Sequence, residues 1–125
     1  MRDRTDRRHA QQRGVTAEAW VARRLELRGW SVVATNFRGA GAELDLVVVR
    51  DGAVRFVEVK ARQAGDDSGW EAVGPAKQRR LTRAAEAWLA SQPGECREAA
   101  FLLALVELRS DGWTVEWMDD PFDAR

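Results

Sequence analysis

The sequence predicts an α/β fold, a mixed sheet flanked by helices, in the order helix, three-stranded meander, helix, strand and an added C-terminal edge strand. Three observations predict it. Residues 43–50 and 53–60 are β-rich runs separated by Asp51-Gly52, a strong hairpin signal. Amphipathic helical stretches lie before and after that hairpin. Residues 101–108 are almost continuously apolar, as a strand covered on both faces requires.

Taken in order, residues 1–13 form a basic arm with Arg2, Arg4, Arg7, Arg8 and Arg13, and the domain proper spans residues 14–118. Thr16 reads as the N-cap of a first helix reaching about Arg28, where Gly29 supplies the stop. Its apolar stripe is Val21, Ala22 and Leu25 with Trp20 at the edge, and Glu18 shares that face at helical spacing, which aims a carboxylate toward the core. Residues 30–34 read as a short strand and residues 36–41 as the loop leaving it.

After the hairpin, residues 63–74 are rich in Gly, Asp and Ser and read as a loop anchored by Trp70 and Val73. Pro75 opens a second helix whose Leu81, Ala84, Ala85, Trp88 and Leu89 form one apolar face, closed by Pro93-Gly94. A helix joining the third strand to the fourth is a crossover, so those two strands should be parallel. Asp111-Gly112 then turns the chain into an alternating edge strand, and residues 119–125 form an acidic tail.

Composition narrows the chemistry. At 125 residues the chain is one domain, so a catalytic site must be built within one core or shared across a homodimer. No apolar run approaches a bilayer span, and the polar start lacks a signal peptide's apolar stretch, so a cytoplasmic protein with no membrane contact is expected. One cysteine, Cys96, and one histidine, His9, leave a Cys/His zinc site and a Ser-His-Asp triad without their parts. Chemistry must rest on carboxylates, lysine and a hard cation. Lys+Arg 20 against Asp+Glu 20 gives zero formal charge, which weakens any expectation of strong non-specific nucleic-acid binding.

With a two-residue turn at Asp51-Gly52, Asp45 faces Glu58 and Glu43 faces Lys60 across the hairpin, and the strand period of two puts all four on one face. Opposed carboxylates about 4.5–5.5 Å apart repel, and a divalent cation removes that cost. The plainer alternative is a solvated charge ladder at a sheet margin. Lys77 and Gln78 extend the second helix's inward stripe, whereas Arg79 and Arg80 point elsewhere and could meet phosphate. Trp70 could stack on a base, although anchoring its loop is the simpler role.

Asp45 followed by Glu58-Val59-Lys60 resembles the signature of the PD-(D/E)-x-K superfamily of restriction-endonuclease-like nucleases. More narrowly, the chain resembles the YraN family of uncharacterised bacterial proteins. Gly14 with Glu18, Arg28-Gly29-Trp30, Asn36-Phe37-Arg38, Glu43-Leu44-Asp45-Leu46, residues 56–62 and residues 71–81 carry that resemblance. Ala42, Ala40 and Ala100-Phe101-Leu102 depart from the family pattern, which has Gly, often a basic residue, and Arg-Phe-Asp there.

The resemblance implies a restriction-endonuclease-like αβββαβ core and a Mg²⁺- or Mn²⁺-dependent nuclease acting on DNA of branched or irregular structure. It implies metal at Asp45, Glu58 and Val59, with Glu18, Asp45, Glu58 and Lys60 catalytic. Glu43, Lys77 and Gln78 would support them, and Arg38, Arg62, Trp70, Arg79 and Arg80 would contact nucleic acid. The alternative is a non-catalytic nucleic-acid-binding or interaction module with the same fold.

Overall fold

A computed structural model describes residues 13–65, 74–94 and 98–119. The basic arm before Arg13, Trp70 with Val73, Cys96 and the tail after Asp119 lie outside them. Helix α1 is Arg13–Glu26, strands β1 Ser31–Gly39, β2 Ala42–Arg50 and β3 Ala53–Gln63 follow, then helix α2 Pro75–Ala90 and strands β4 Glu98–Arg109 and β5 Gly112–Asp119. The strands form one sheet in chain order, β1-β2-β3-β4-β5. Only β3 and β4 are parallel, as the crossover through α2 requires. The αβββαβ core with an added edge strand is the one the sequence predicts.

α1 begins at Arg13, three residues before the expected Thr16 cap, so Thr16 lies inside the helix. Its end is a Schellman motif. The Trp30 N–H donates to Leu25 O (3.1 Å), the Gly29 N–H donates to Glu26 O (3.0 Å), and Gly29 takes the left-handed φ of 89°. Arg50 closes the cap from the hairpin: its Nη1 donates to Arg28 O at 2.7 Å, and its guanidinium lies 4.4 Å from the Trp30 ring centroid.

β1 does not stop at residue 34. It runs to Gly39 and meets β2 through a two-residue turn at Ala40-Gly41, both at positive φ (52° and 82°), the geometry Asp51-Gly52 repeats between β2 and β3. The turn into β5 is Ser110-Asp111, one residue earlier than expected, with Gly112 opening the strand.

The sheet divides the core in two. On one face α2 lays Leu81, Ala84, Ala85 and Trp88 against Leu44, Val47, Val54, Phe56 and Phe101. On the other, Val21 and Leu25 of α1 meet Leu46, Val48, Val57 and the even-numbered apolar residues of β4, with Trp113 and Trp117 of β5 alongside. β4, paired on both sides and buried from Phe101 through Val106, is the continuous apolar strand its sequence implies.

Strict alternation fails twice: a bulge between Val32 and Ala34 shifts the β1–β2 register, and a second fault, shared by both strands, creates the site. Leu44 and Val47 both face α2, while Leu46 and Val48 face α1; on the neighbouring strand Ala34 and Phe37 both face α2. The β1–β2 pairs Thr35↔Leu46 and Phe37↔Leu44 bracket the fault, which places Asn36 opposite Asp45. Asn36 sits in β1 with φ 52°, a left-handed conformation that asparagine tolerates better than most residues. The β2–β3 ladder keeps its predicted register from Arg50↔Ala53 to Leu46↔Val57 and ends there, one pair short of Asp45 and Glu58.

Candidate functional site: an acidic fork between two strands

Beyond Leu46↔Val57 the strands part, β2 staying with β1 and β3 with β4, and Asp45 occupies the fork. Its Oδ2 accepts the Val59 N–H at 2.8 Å, a backbone donor that β2 no longer pairs. Glu18 of α1 reaches Asp45 from one face of the sheet, and Glu58 of β3 reaches it from the other, so that Asp45 raises the pKa of both. The expectation that Glu43, Asp45, Glu58 and Lys60 lie on a single face is therefore corrected. The matched irregularity at Asn36 and Asp45 turns Asp45 into the plane of the sheet, between carboxylates held by opposite layers.

Glu43 does not face Lys60. It accepts from Arg38 Nε at 3.1 Å across the β1–β2 hairpin, because Arg38 and Glu43 are register partners there. Glu58 takes its cation from α2, with Lys77 Nζ 3.6 Å from Oε1. Lys60 is exposed, two residues along β3 from Glu58 and on the same side of the strand. Gln78 is half-buried beside Lys77.

Asn36 is the member that the sequence reading missed. With its amide oriented by its surroundings, Nδ2 donates to Glu18 Oε1 and to Glu43 Oε1, both at 3.1 Å. A continuous polar chain results, from Arg38 through Glu43, Asn36, Glu18 and Asp45 to Glu58 and Lys77. An asparagine in the middle of a β-rich stretch was the available signal, since asparagine disfavours regular strands.

The electrostatics are frustrated. Glu18 is pushed up to about 7, first by burial, then by the charges of Asp45 and Glu43 and the hydrogen bond to Asp45. Glu58 is pushed up to about 8 by burial and by contact with Asp45, against the lowering pull of Lys77. Glu58 Oε2 is buried without a hydrogen-bond partner of regular geometry. A divalent cation would replace the protons that hold this cluster together, so the donor set fits one. Among the described residues no three Asp, Glu, His or Cys side chains already form a coordination cage.

The other expected contact residues are scattered. Arg38, 84% exposed in its side chain, borders an open cavity of about 410 Å³ with Gly39, Gly41, Ala42 and Glu43. Arg79 and Arg80 are exposed on α2. Arg62 is only 14% exposed and lies 3.9 Å from both Glu107 and Glu116, tying β3, β4 and β5 together.

The model of the uncharacterised protein family UPF0102 matches residues 17–114, a span that contains every member of the fork. The chain belongs to that family. A UPF0102 protein of Gloeobacter violaceus is 48% identical over 104 residues, 81% of each chain. One from Ralstonia nicotianae is 44% identical over 115 residues, covering 87% of this chain and 85% of its own. A UPF0102 protein of Halorhodospira halophila is 37% identical over 123 residues, 98% of this chain and 96% of its own. No helix among the described residues of this UPF0102 chain is long and apolar enough to cross a membrane.

Proposed function

We propose that the acidic fork is a divalent-cation site and that the chain is a metal-dependent phosphodiester hydrolase acting on nucleic acid. The resemblance suggests DNA of branched or irregular structure and a cytoplasmic setting. One observation carries the reading: Glu18, Asp45 and Glu58 converge from three elements, among the described residues Lys77 is the one cation paired with them, and Glu58 Oε2 is left buried without a hydrogen-bond partner. A structural charge ladder would instead pair each carboxylate with a cation.

In this reading Asp45 and Glu58, with a main-chain oxygen of Val59, hold Mg²⁺ or Mn²⁺, and Glu18 completes the cluster. The cation would polarise the scissile phosphate and lower the pKa of a bound water. Lys60 orients that water and balances charge developing on phosphate, Asp45 is kept in place by the Val59 N–H, and Arg38 with Arg79 and Arg80 meets flanking phosphates.

Calorimetric titration of Mn²⁺ into metal-free protein should give saturable heat, and Asp45→Asn should lose it. Equal heats from both proteins would sink the site. Junction, flap and linear DNA assayed with metal then divide the two functional readings. Cleavage lost in Lys60→Ala supports the nuclease. Lys77 beside Glu58 favours the second reading, a nucleic-acid-binding module without turnover, and binding without cleavage of any of the three substrates would establish it.

A further inference from the structure

We propose that Asn36 is the positioning residue of the acidic fork, holding Glu18 on α1 and Glu43 on β2 at fixed places beside Asp45. This rests on the cation-site reading for its purpose, but the contact itself can be tested without metal. Three observations converge on it. Asn36 Nδ2 has two N–H groups and each meets a different carboxylate, Glu18 Oε1 and Glu43 Oε1, at 3.1 Å. Its φ of 52° breaks β1 directly opposite Asp45, where β2 also swaps faces, so the backbone fault that opens the fork and the amide that fills it are one feature. Glu43 is held on its other side by Arg38, its register partner across the β1–β2 hairpin, which ties that carboxylate to the sheet.

The chemistry requires this residue type. Asparagine supplies two donors on a short, uncharged arm and tolerates the left-handed backbone. Aspartate would tolerate the backbone, but as an anion it has no donor for Glu18 or Glu43 and would add charge beside them. Serine has one donor and cannot serve both glutamates. Without the amide, Glu18 and Glu43 face each other across the fork with nothing between them, and the cation would have to order Glu18 itself on binding.

The test uses Asn36→Gly, which accepts the same φ without strain while removing both donors, alone and combined with Glu18→Ala. In chelator Asn36→Gly should lower the melting temperature by about 3–6 °C, the scale of one or two lost hydrogen bonds in a domain of this size. In the Glu18→Ala background the same substitution should cost no more than half as much. A purely backbone role predicts equal losses in both backgrounds, and that result overturns the proposal. Asn36→Gly should also bind Mn²⁺ at least tenfold more weakly than wild type by calorimetry, and equal affinity overturns it as well. An additive cycle beside normal Mn²⁺ binding by wild type removes the Asn36 role alone. An intact cycle with no Mn²⁺ heat from wild type removes the cation site, and with it the purpose assigned to Asn36.

Discussion

Glu58 carries features that pull against one another: it is mostly buried, it touches Asp45, and the cation beside it, Lys77, is 41% exposed and therefore partly screened. A carboxylate so placed is stable as the acid and costly as the anion. In chelator at pH 9, Glu58→Gln should therefore raise unfolding stability by about 1–2 kcal/mol, with the lost Lys77 pair worth under about 1 kcal/mol against it. With saturating Mn²⁺ the order should invert, because wild type alone gains the full binding free energy, about 2.7 kcal/mol at a hundredfold excess over Kd. Urea unfolding of both proteins under the two conditions checks this, and a Gln variant less stable in chelator would mark Glu58 as an ordinary ion-pair partner. Asp45→Asn is a less clean probe of stability, since Asp45 also accepts the Val59 N–H. That Asp45, Glu58 and Lys77 lie close together was legible in the sequence, from a hairpin register and a helical stripe. The sharing of partners was not. Glu43 went to Arg38 and Glu58 to Lys77 because the fork removes Asp45 and Glu58 from the ladder that the register assumed.

Elements were legible wherever one periodicity or one turn dipeptide governs them. Asp51-Gly52 fixed the β2–β3 register, Pro75 the start of α2 and its stripe the buried face, and all three hold. The sequence predicts β1 too short because its alternation breaks at both the Val32/Ala34 bulge and Asn36, and a fault that two strands share is invisible when each is read separately. Thr16 looked like a cap, yet helix begins at Arg13, since a favourable cap residue does not prevent helix from extending past it. Gly29 was placed correctly as the stop. Its left-handed φ of 89° is the feature that needs glycine, because a Cβ there would meet only Arg50 Cδ at 3.5 Å, an ordinary contact. Gly29→Ala should thus cost about 1–2 kcal/mol through the backbone alone, measured by denaturant unfolding, with no change in Mn²⁺ affinity. A loss of metal binding at that distance would mean that the α1 cap helps set Glu18, which the contacts around Gly29 give no reason to expect.

At the scale of the whole molecule, two helices on opposite faces of one sheet each deliver a side chain to the fork, Glu18 of α1 to Asp45 and Lys77 of α2 to Glu58. Glu18 arrives with the α1 layer, Lys77 with the α2 layer, and Asp45 stands between them, so the fork joins the two halves of the core. Protonation of the fork is therefore coupled to global folding. In the unfolded chain both glutamates give up their protons near 4.5, while in the fold Glu18 keeps its proton to about 7 and Glu58 to about 8. Between those limits the folded state binds more protons than the unfolded state, so the contribution of these two groups is fully present below about pH 4.5 and is lost as pH rises through 7 and 8. Metal-free protein should consequently lose on the order of 1–3 kcal/mol from pH 5 to pH 9, most of it from Glu58, since Glu18 is more open to solvent. Glu58→Gln should flatten most of that slope and Glu18→Gln a smaller part. Saturating Mg²⁺ or Mn²⁺ should flatten it too, because the cation takes the place of the protons. Binding at pH 7 must then release protons, which calorimetry in two buffers of different ionisation enthalpy detects as a buffer-dependent heat. A pH-independent stability in chelator, or a binding heat that is the same in both buffers, would mean that the three carboxylates are already balanced without a cation, and the fork would lose its claim to be a metal site.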